Sequence, residues 1–286
     1  MVGFFLFRFF VAIFWFCPFW LLYFLSDILS FLLYYVFRYR IKVVEGNLLA
    51  AFPQKTDDER RLIAKKFYTH FSDLCLEGIK GFSMTDKQLL NRFFGTNISL
   101  INDYMDTGKS ALLLAGHYGN WEWAVAACGI QAKHTLIGLY KPLNNKKIEQ
   151  WVKQKRERCG LVLASIGTTP ETFEQYKSQP TCYIMLGDQN PSNPNLAHWT
   201  NFLNQDTACL HGPDKYARKT GYAVFYAEIT KVKRGYYRAD LELLSSEQQP
   251  LYEAQITEIF MKRVEKTILA APEFWLWTHR RWKHKR

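Results

Sequence analysis

The sequence lacks the short motifs that mark several familiar classes of enzyme and binding protein. Its six cysteines form no C-x-x-C pair, which disfavours both a zinc site and a disulfide framework and suits reduced, mostly buried thiols. No G-x-S-x-G turn is present, so an acyl-enzyme on a serine elbow is not expected. The GKS tripeptide at 108–110 resembles the end of a phosphate-binding loop, but Asp103 stands where that motif requires glycine.

Charge is scarce in residues 1–37, which carry only Arg8 and Asp27 and are crowded with aromatic side chains. Residues 9–25 form an uncharged apolar run near the lower limit of the length that crosses a bilayer. A secretory signal peptide fits poorly because no small-residue cleavage site follows. A buried core helix also fits poorly, since dense aromatic side chains are typical of the bilayer interface. We predict a membrane anchor over 1–37, which spans the bilayer or lies in one leaflet with a break near Pro18.

The net charge of +11 indicates an anionic partner, and basic residues cluster at 146–158 and 279–286. No zinc spacing, aromatic RNA-binding motif or basic zipper accompanies these clusters, so we expect no nucleic acid partner. Anionic lipid headgroups and an acidic protein explain the charge equally well, and a solvated basic face is the plainer alternative. Arg38, Arg40 and Lys42 follow the apolar segment and favour a catalytic domain on the cytoplasmic side.

Beyond residue 40 the sequence alternates between strand and helix patterns, with no internal repeat. A long helix with a capping-box start is expected over 56–81, and 191–205 has the composition of a polar loop. Strands are expected at 111–115, 135–139, 161–166, 182–186, 223–230 and 236–244, and helices at 146–158, 170–177, 211–221 and 251–269. We predict one α/β domain over 38–286, with a mixed, largely parallel central sheet flanked by helices.

The most informative stretch is ALLLAGHYGNWEWA at 111–124, which places a histidine after a buried strand. His117 lies at the carboxyl end of that strand, where open α/β sheets bind their ligands. Asn120 is expected to cap the next helix, with Glu122 in its first turn. Glu122 could hold one imidazole nitrogen and leave the other free to take a proton from an alcohol. H-x4-E spacing by itself is weak, because a histidine at a strand end is also typical of packing or capping.

The segment GHYGNWEWA at 116–124 resembles the signature block of the bacterial lipid A late acyltransferases. These are relatives of the lysophospholipid and glycerol-phosphate acyltransferases, which share an H-x4-D/E pair. Further blocks follow in the family's order, over roughly 38–283: NLLAAFP at 47–53, Glu77, YKPLNN with RER at 140–158, GDQNP at 187–191 and PEFWLWTHRRW at 272–282. One departure is Lys141, where relatives often carry arginine, because lysine lacks the planar fork that suits phosphate.

This resemblance implies a glycerol-phosphate-acyltransferase-like fold and a membrane-anchored O-acyltransferase of the bacterial inner membrane. It implies acyl carrier protein as the acyl donor, a lipid A precursor as the acceptor, and no cofactor besides the acyl-carrier co-substrate. His117 is expected to be the general base and Glu122 its orienting partner. A histidine and a glutamate alone are too few for a catalytic zinc site, so no metal is expected. The residues expected to bind substrate are Asn120, Lys141, Asn145, Arg156, Arg158 and Asp188.

Three other interpretations remain open on the sequence. The acceptor could be another lysolipid, such as a lysophospholipid or an amino-acid lipid, with the same chemistry. A non-enzymatic lipid-binding protein could keep the fold, although retention of both His117 and Glu122 disfavours it. A hydrolase could use the same pair on water, but the chain has neither a nucleophile elbow nor a metal set. In the tail, Trp275, Trp277 and His279 alternate as in a packed strand or, equally, as a headgroup-binding segment.

Overall fold

A seven-stranded sheet forms the centre of the computed structural model, which describes residues 2–247 and 251–286. The strands of the described chain are β1 (Phe93–Thr96), β2 (Ala111–Ala115), β3 (Thr135–Tyr140), β4 (Leu161–Ser165), β5 (Thr181–Leu186), β6 (His198–Phe202), β7 (Gln205–Cys209), β8 (Ala223–Lys233) and β9 (Tyr236–Ser245). The sheet has the order β1-β9-β8-β2-β5-β3-β4, while β6 and β7 pair separately. The five strands from β8 to β4 are parallel, and β9 runs antiparallel to β8. The predicted mixed, largely parallel sheet is therefore confirmed.

Helices cover both faces of this sheet. Those of the described residues are α1 (Val2–Phe16), α2 (Phe19–Phe31), α3 (Ile41–Ala51), α4 (Asp57–Gly81), α5 (Asp86–Leu90), α6 (Ser99–Asp106), α7 (Trp121–Gln131), α8 (Lys146–Glu157), α9 (Thr169–Gln175), α10 (Gly212–Thr220) and α11 (Gln255–Ala270). Leu112 and Leu114 of β2 pack in a core with residues of α4 and α11, and Leu113 packs in a second core with residues of α6 and α7. Burial on both faces explains why β2 is continuously apolar.

Helix α4 begins with the capping box that the sequence predicts. The backbone N–H of Glu59 donates to the Thr56 hydroxyl, and the Glu59 carboxylate accepts the Thr56 backbone N–H at 2.7 Å. The two contacts satisfy donors that the first turn of a helix otherwise leaves free. This long helix then packs against α2 and carries two buried acidic residues, Asp73 and Glu77.

Helix α2 packs both apolar and polar side chains against the domain and exposes aromatic side chains on its other side. Leu22 is fully buried, Tyr23 donates to Glu77 and Ser26 donates to Asp73 at 2.7 Å, while the exposed Asp27 pairs with Arg234. Its outward face is apolar, and Trp20 there is 72 % exposed. Phe19–Val36 is the one candidate span among the described residues, with a mean hydropathy of 1.7. Helix α1 ends at Phe16 and α2 begins at Phe19, so the chain does break at Pro18.

The 191–205 segment is not the plain polar loop expected from its composition. Its second half enters the β6–β7 hairpin, whose two-residue turn is formed by Leu203 and Asn204. Both residues have positive φ, at 50° and 62°, as a type I′ turn requires. Asn204 suits that conformation, but leucine is rare in it, so the Leu203–Asn204 pair was a weak turn signal. A hydrogen bond from the Leu203 backbone to Glu265 and the burial of the Leu203 side chain stabilise the turn.

The packing of α2 on α4 can be tested with Leu22, which is fully buried between them. Leu22→Ala should lower the free energy of unfolding by about 2–5 kcal/mol, because it removes apolar contacts and leaves a cavity. The matched control is Phe24→Ala, on the exposed face of the same helix, which should change it by less than about 0.5 kcal/mol. Denaturant titrations would compare the two variants, and equal effects would contradict this arrangement.

Candidate active site

A histidine and a carboxylate meet where two neighbouring strands end. His117 follows β2 and Asp188 follows β5, and these strands are parallel neighbours with Ala115 opposite Leu186. Parallel neighbours present their carboxyl ends at the same edge, so the two side chains converge. The His117 Nδ1 lies 2.6 Å from Asp188 Oδ1, and the His117 backbone N–H donates to Asp188 Oδ2 at 2.9 Å.

Asp188 is completely buried and yet ionised. Burial alone would raise its pKa, but the His117 imidazole and hydrogen bonds from His117 and Trp275 outweigh burial and hold the pKa at about 2. The Trp275 indole donates to Oδ2 at 2.7 Å. An ionised Asp188 accepts the proton on Nδ1, which fixes the imidazole tautomer with an unprotonated Nε2.

The Nε2 of His117 remains available for chemistry. It makes no hydrogen bond with any of the described residues, and the side chain is 18 % exposed. The ring forms part of the wall of a cavity of about 680 Å³. Apolar side chains from α7, β3, β4 and β5 form much of the remaining wall: Val125, Leu139, Leu161, Leu163, Ile184 and Leu186. The unprotonated Nε2 thus faces a largely apolar cavity of the kind that binds small ligands.

The turn that carries His117 is held by the C-terminal segment. Gly119 has a φ of +57°, and a Cβ there would lie 2.8 Å from Ile229 Cγ2, so the position requires glycine. The Gly119 N–H donates to the Phe274 carbonyl at 3.0 Å, and the Leu276 N–H donates to the His117 carbonyl at 3.2 Å. Phe274 and Leu276 therefore fix the backbone on both sides of the turn that carries His117.

The C-terminal segment is itself anchored to α3 and β7. The Asn47 amide donates to the carbonyls of Trp277 and His279 at 2.9 and 2.8 Å. Arg281 is buried and donates to the Ala208 carbonyl. Trp275 and Trp277 are buried as well, but an isolated bridge from Trp275 to Tyr118 replaces the expected strand. The tail is therefore packed into the domain, which is one of the two interpretations of its sequence given above.

Glu122 does not make the contact expected of it. Its carboxylate instead accepts hydrogen bonds from Arg156 Nη2 at 2.7 and 2.8 Å and from Arg156 Nε at 3.1 Å. The partner of the imidazole in this structure is Asp188, because the end of β5 lies closer to His117 than the first turn of α7 reaches. Glu122 and Arg156 both line the cavity, so they belong to the site through a separate ion pair.

The other predicted residues fall at different distances from the cavity. Lys141 lines it, together with Lys283 from the tail. Asn120 is buried and caps α7 by accepting the Trp123 N–H, as expected, while its Nδ2 donates to Glu77. Asn145 caps α8, and Arg158 donates to the carbonyls of Gly81 and Met84. In this structure Asn120, Asn145 and Arg158 therefore shape the elements around the site and do not line its cavity.

From the sequence we expect Asp188 to bind substrate, and the structure pairs its carboxylate with His117 and Trp275. The sequence did not predict the contact of Trp275 with Asp188 or the positions of His279 and Lys283 in the cavity wall. Burial, and then the nearby Arg281, lower the pKa of His279 to about 4, so this imidazole is neutral near pH 7. The position of Asp188 directly after an apolar strand was the one available signal for its pairing with His117.

The fold and the site define an α/β enzyme whose His–acid pair faces an apolar cavity at the carboxyl edge of a sheet. Comparisons with known proteins agree with this class. The sequence model of a family described as "Bacterial lipid A biosynthesis acyltransferase" matches residues 1–284. The chain is 26 % identical to the lipid A biosynthesis lauroyltransferase of Escherichia coli (strain K12) over 252 residues, which covers 85 % of this chain and 79 % of the relative. It is 23 % identical to the palmitoleoyltransferase of the same strain over 248 residues, with the same coverage of each chain.

The chain therefore belongs to the bacterial lipid A biosynthesis acyltransferase family, and it is an acyltransferase. The match extends across the N-terminal helices as well as the sheet, so the whole described fold takes part in the resemblance.

The pairing of His117 with Asp188 predicts a specific order of mutational effects. Asp188→Asn should lower acyl-transfer turnover by about 10²–10⁴-fold, because the imidazole loses the negative charge that fixes its tautomer and stabilises its protonated form. Glu122→Gln should cost less, since Asp188 still holds the ring. Asp103→Asn, at an exposed position on α6, is the matched control and should leave turnover unchanged. Steady-state kinetics of the purified variants would measure the order, and a greater loss in Glu122→Gln would contradict it.

Proposed function

We propose that this protein transfers a fatty acyl chain from acyl carrier protein to a hydroxyl of a lipid A precursor at a membrane surface. The observation that carries the proposal is the imidazole of His117, held by the buried Asp188 with its Nε2 directed at an apolar cavity. The names of the E. coli relatives support a lipid A precursor as the acceptor.

In this mechanism His117 Nε2 removes the proton of the acceptor hydroxyl as its oxygen attacks the thioester carbonyl. The negative charge of Asp188 stabilises the imidazolium that forms. The tetrahedral intermediate then breaks its carbon–sulfur bond, and the imidazolium returns the proton to the departing thiolate. The products are an ester and a free thiol, and the histidine regains its starting state without an acyl-enzyme.

Arg156 is suited to stabilise the negative oxygen of the tetrahedral intermediate. Its guanidinium lines the cavity, and Glu122 holds it through Nε and Nη2. Nη1 keeps its donors free of hydrogen bonds to the described residues. A donor fixed before the reaction costs little reorganisation when the negative charge develops. Glu122 would then act on the reaction by orienting Arg156.

The apolar part of the cavity is suited to the acyl chain. Leu161 and Leu163 of β4 and Ile184 of β5 present hydrocarbon side chains to it. Each buried methylene contributes about 0.8 kcal/mol, so even part of a fatty chain binds firmly in such a space. Gly138 adds room, because a Cβ there would lie 3.0 Å from Leu163 Cδ2.

The cationic part of the cavity is suited to an anionic substrate group. Lys141 and Lys283 both line it, and neither pairs with an acidic side chain among the residues described. Among the described residues that line the cavity, the one acidic side chain is that of Glu122, and Arg156 neutralises it. Two unpaired lysines beside the base favour a phosphate on the donor arm or on the acceptor sugar.

The exposed aromatic side of α2 supports attachment in the plane of one leaflet. A helix that crossed the bilayer alone would expose all of its sides to lipid, but one side of α2 contacts Glu77, Asp73 and Arg234 of the domain. The outward aromatic side can enter the interface, while Arg38 and Lys42 lie next to headgroups. We propose a location at the cytoplasmic face of the inner membrane.

Helix α8 is suited to receive an acidic carrier protein near the membrane. Its Trp151 packs on Phe7 of α1 and Phe82, with ring centroids 5.2 and 5.1 Å apart. Lys146 and Lys147 at its start are exposed and unpaired within the described chain. Helix α8 ends next to the cavity at Arg156, so a carrier docked on α8 has its acyl arm close to His117.

The direct test of the proposal is reconstituted transfer with purified protein in vesicles. Wild-type protein should move the acyl chain from acyl carrier protein to a lipid A precursor, with the mass increase read by mass spectrometry. His117→Ala should reduce the rate by at least about 10²-fold, because the base is lost while little buried volume is removed. Transfer only to lysophospholipid would replace the acceptor, and transfer by His117→Ala within tenfold of wild type would overturn the mechanism.

The donor can be tested by charge reversal on α8. Lys146→Glu, Lys147→Glu and Lys153→Glu together should raise the KM for acyl carrier protein more than they lower kcat, and turnover should fall as salt rises. The matched control reverses Lys177, Lys215 and Lys219, which lie outside α8 and do not line the cavity, and it gives the same change in net charge. A higher kcat/KM with acyl-coenzyme A, together with equal effects of the two triple variants, would contradict the donor assignment.

A further inference from the structure

A buried carboxylate that takes no part in the chemistry lies behind the catalytic turn. Glu77 of α4 is 0 % exposed and forms no ion pair with any described side chain. Its two oxygens accept three hydrogen bonds: from Tyr23 at 2.9 Å, from Tyr237 at 2.9 Å and from the Asn120 amide at 2.8 Å. Burial raises the pKa of this carboxyl, and the neighbouring Asp73 raises it further. A buried carboxylate with three donors holds together the elements that those donors belong to.

One of those elements is the turn that carries the site. Asn120 uses its Nδ2 on Glu77 and its Oδ1 on the Trp123 N–H, so Glu77 fixes the cap of α7. The Glu77 backbone carbonyl also accepts the Trp123 indole N–H at 3.1 Å. His117 lies just before this cap and Glu122 just after it. A shift of the cap therefore moves both side chains relative to the cavity.

A second element is the helix with the outward apolar face. Tyr23 lies on the inward face of α2, one turn away from Trp20 and directly before the exposed Phe24. Its hydroxyl and the Asn120 amide donate to the two different oxygens of one carboxylate. If α2 moves away from α4, one Glu77 oxygen loses its donor inside an apolar environment, and the remaining contacts must rearrange to satisfy it.

We propose that Glu77 is a positioning residue that couples the seating of α2 to the geometry of the His117 turn. This inference rests on the proposed function for its kinetic consequences, but the contacts themselves do not depend on the substrate. With α2 seated in lipid, Tyr23 and Asn120 bind Glu77 together and the cap is fixed. The His117 turn then has its productive geometry when the protein is at the membrane, where its acceptor lies.

The variants that test this proposal keep the shape of the network. Glu77→Gln in the full chain keeps the size of the side chain and replaces an acceptor oxygen by an NH₂ donor. Tyr23→Phe removes a single hydroxyl and covers the case in which Glu77→Gln folds poorly. Tyr252→Phe, at an exposed position near α11, is the matched control for Tyr23→Phe.

In vesicles, Glu77→Gln should lower kcat by about 10–100-fold with KM for both substrates changed less than threefold, because small misplacements cost rate more than binding. Tyr23→Phe should lower kcat in the same direction by a smaller factor, and Tyr252→Phe should leave it unchanged. Vesicle binding should be the same for all variants. The kcat of Glu77→Gln within twofold of wild type would overturn the proposal.

Hydrogen exchange gives a measure that needs no activity. Amides of 120–124 should exchange at least tenfold faster in Glu77→Gln, while amides in the middle of β2 stay protected. Unchanged exchange at 120–124 would overturn the coupling, and faster exchange throughout the domain would show general destabilisation and overturn it too. If wild-type protein transfers no acyl chain to lipid A, the proposed function fails, while the exchange experiment still decides whether Glu77 holds the turn.

Discussion

The parallel pairing of β2 with β5 is the constraint on which the site depends. It brings the residues that follow the two strands, His117 and Asp188, to one edge of the sheet within hydrogen-bond distance. Because Asp188 is buried and accepts three hydrogen bonds, the carboxylate stays ionised and the imidazole has one orientation. The Nε2 of that ring then faces the cavity in one fixed orientation. Any change in the register of this strand pair would separate the two groups.

The second organising feature is helix α2, which buries hydroxyl groups beside its apolar contacts. Tyr23 and Ser26 donate to Glu77 and Asp73 next to the buried Leu22, and the opposite side of the helix leaves aromatic rings exposed. This pattern fits an apolar surrounding better than water, because exposed aromatic area on this scale favours association with lipid or protein. The catalytic domain and the apolar segment are thus joined by specific hydrogen bonds and form one packed unit.

Local features of the fold could be predicted because neighbouring residues determine them. The apolar run of β2, the capping box at Thr56 and the Asn120 cap each depend on side chains within a few positions. The partner of His117 could not be predicted in this way, because β5 inserts between β2 and β3 and strand order is decided by packing of distant segments. The spacing favoured Glu122, but the tertiary arrangement places Arg156 on that carboxylate. Likewise, Leu203 accepts an unfavourable backbone conformation only because burial and Glu265 compensate for it.

The turn that carries His117 is held by residues that are synthesised much later in the chain. Tyr118 donates to the Ala271 carbonyl across 153 positions of sequence, and the backbone contacts around His117 come from Phe274 and Leu276. During translation the strands β2 and β5 emerge long before these partners do. A nascent chain can therefore assemble most of its sheet while the turn is still unsupported. The turn gains its backbone partners only after residues 271–276 have been synthesised.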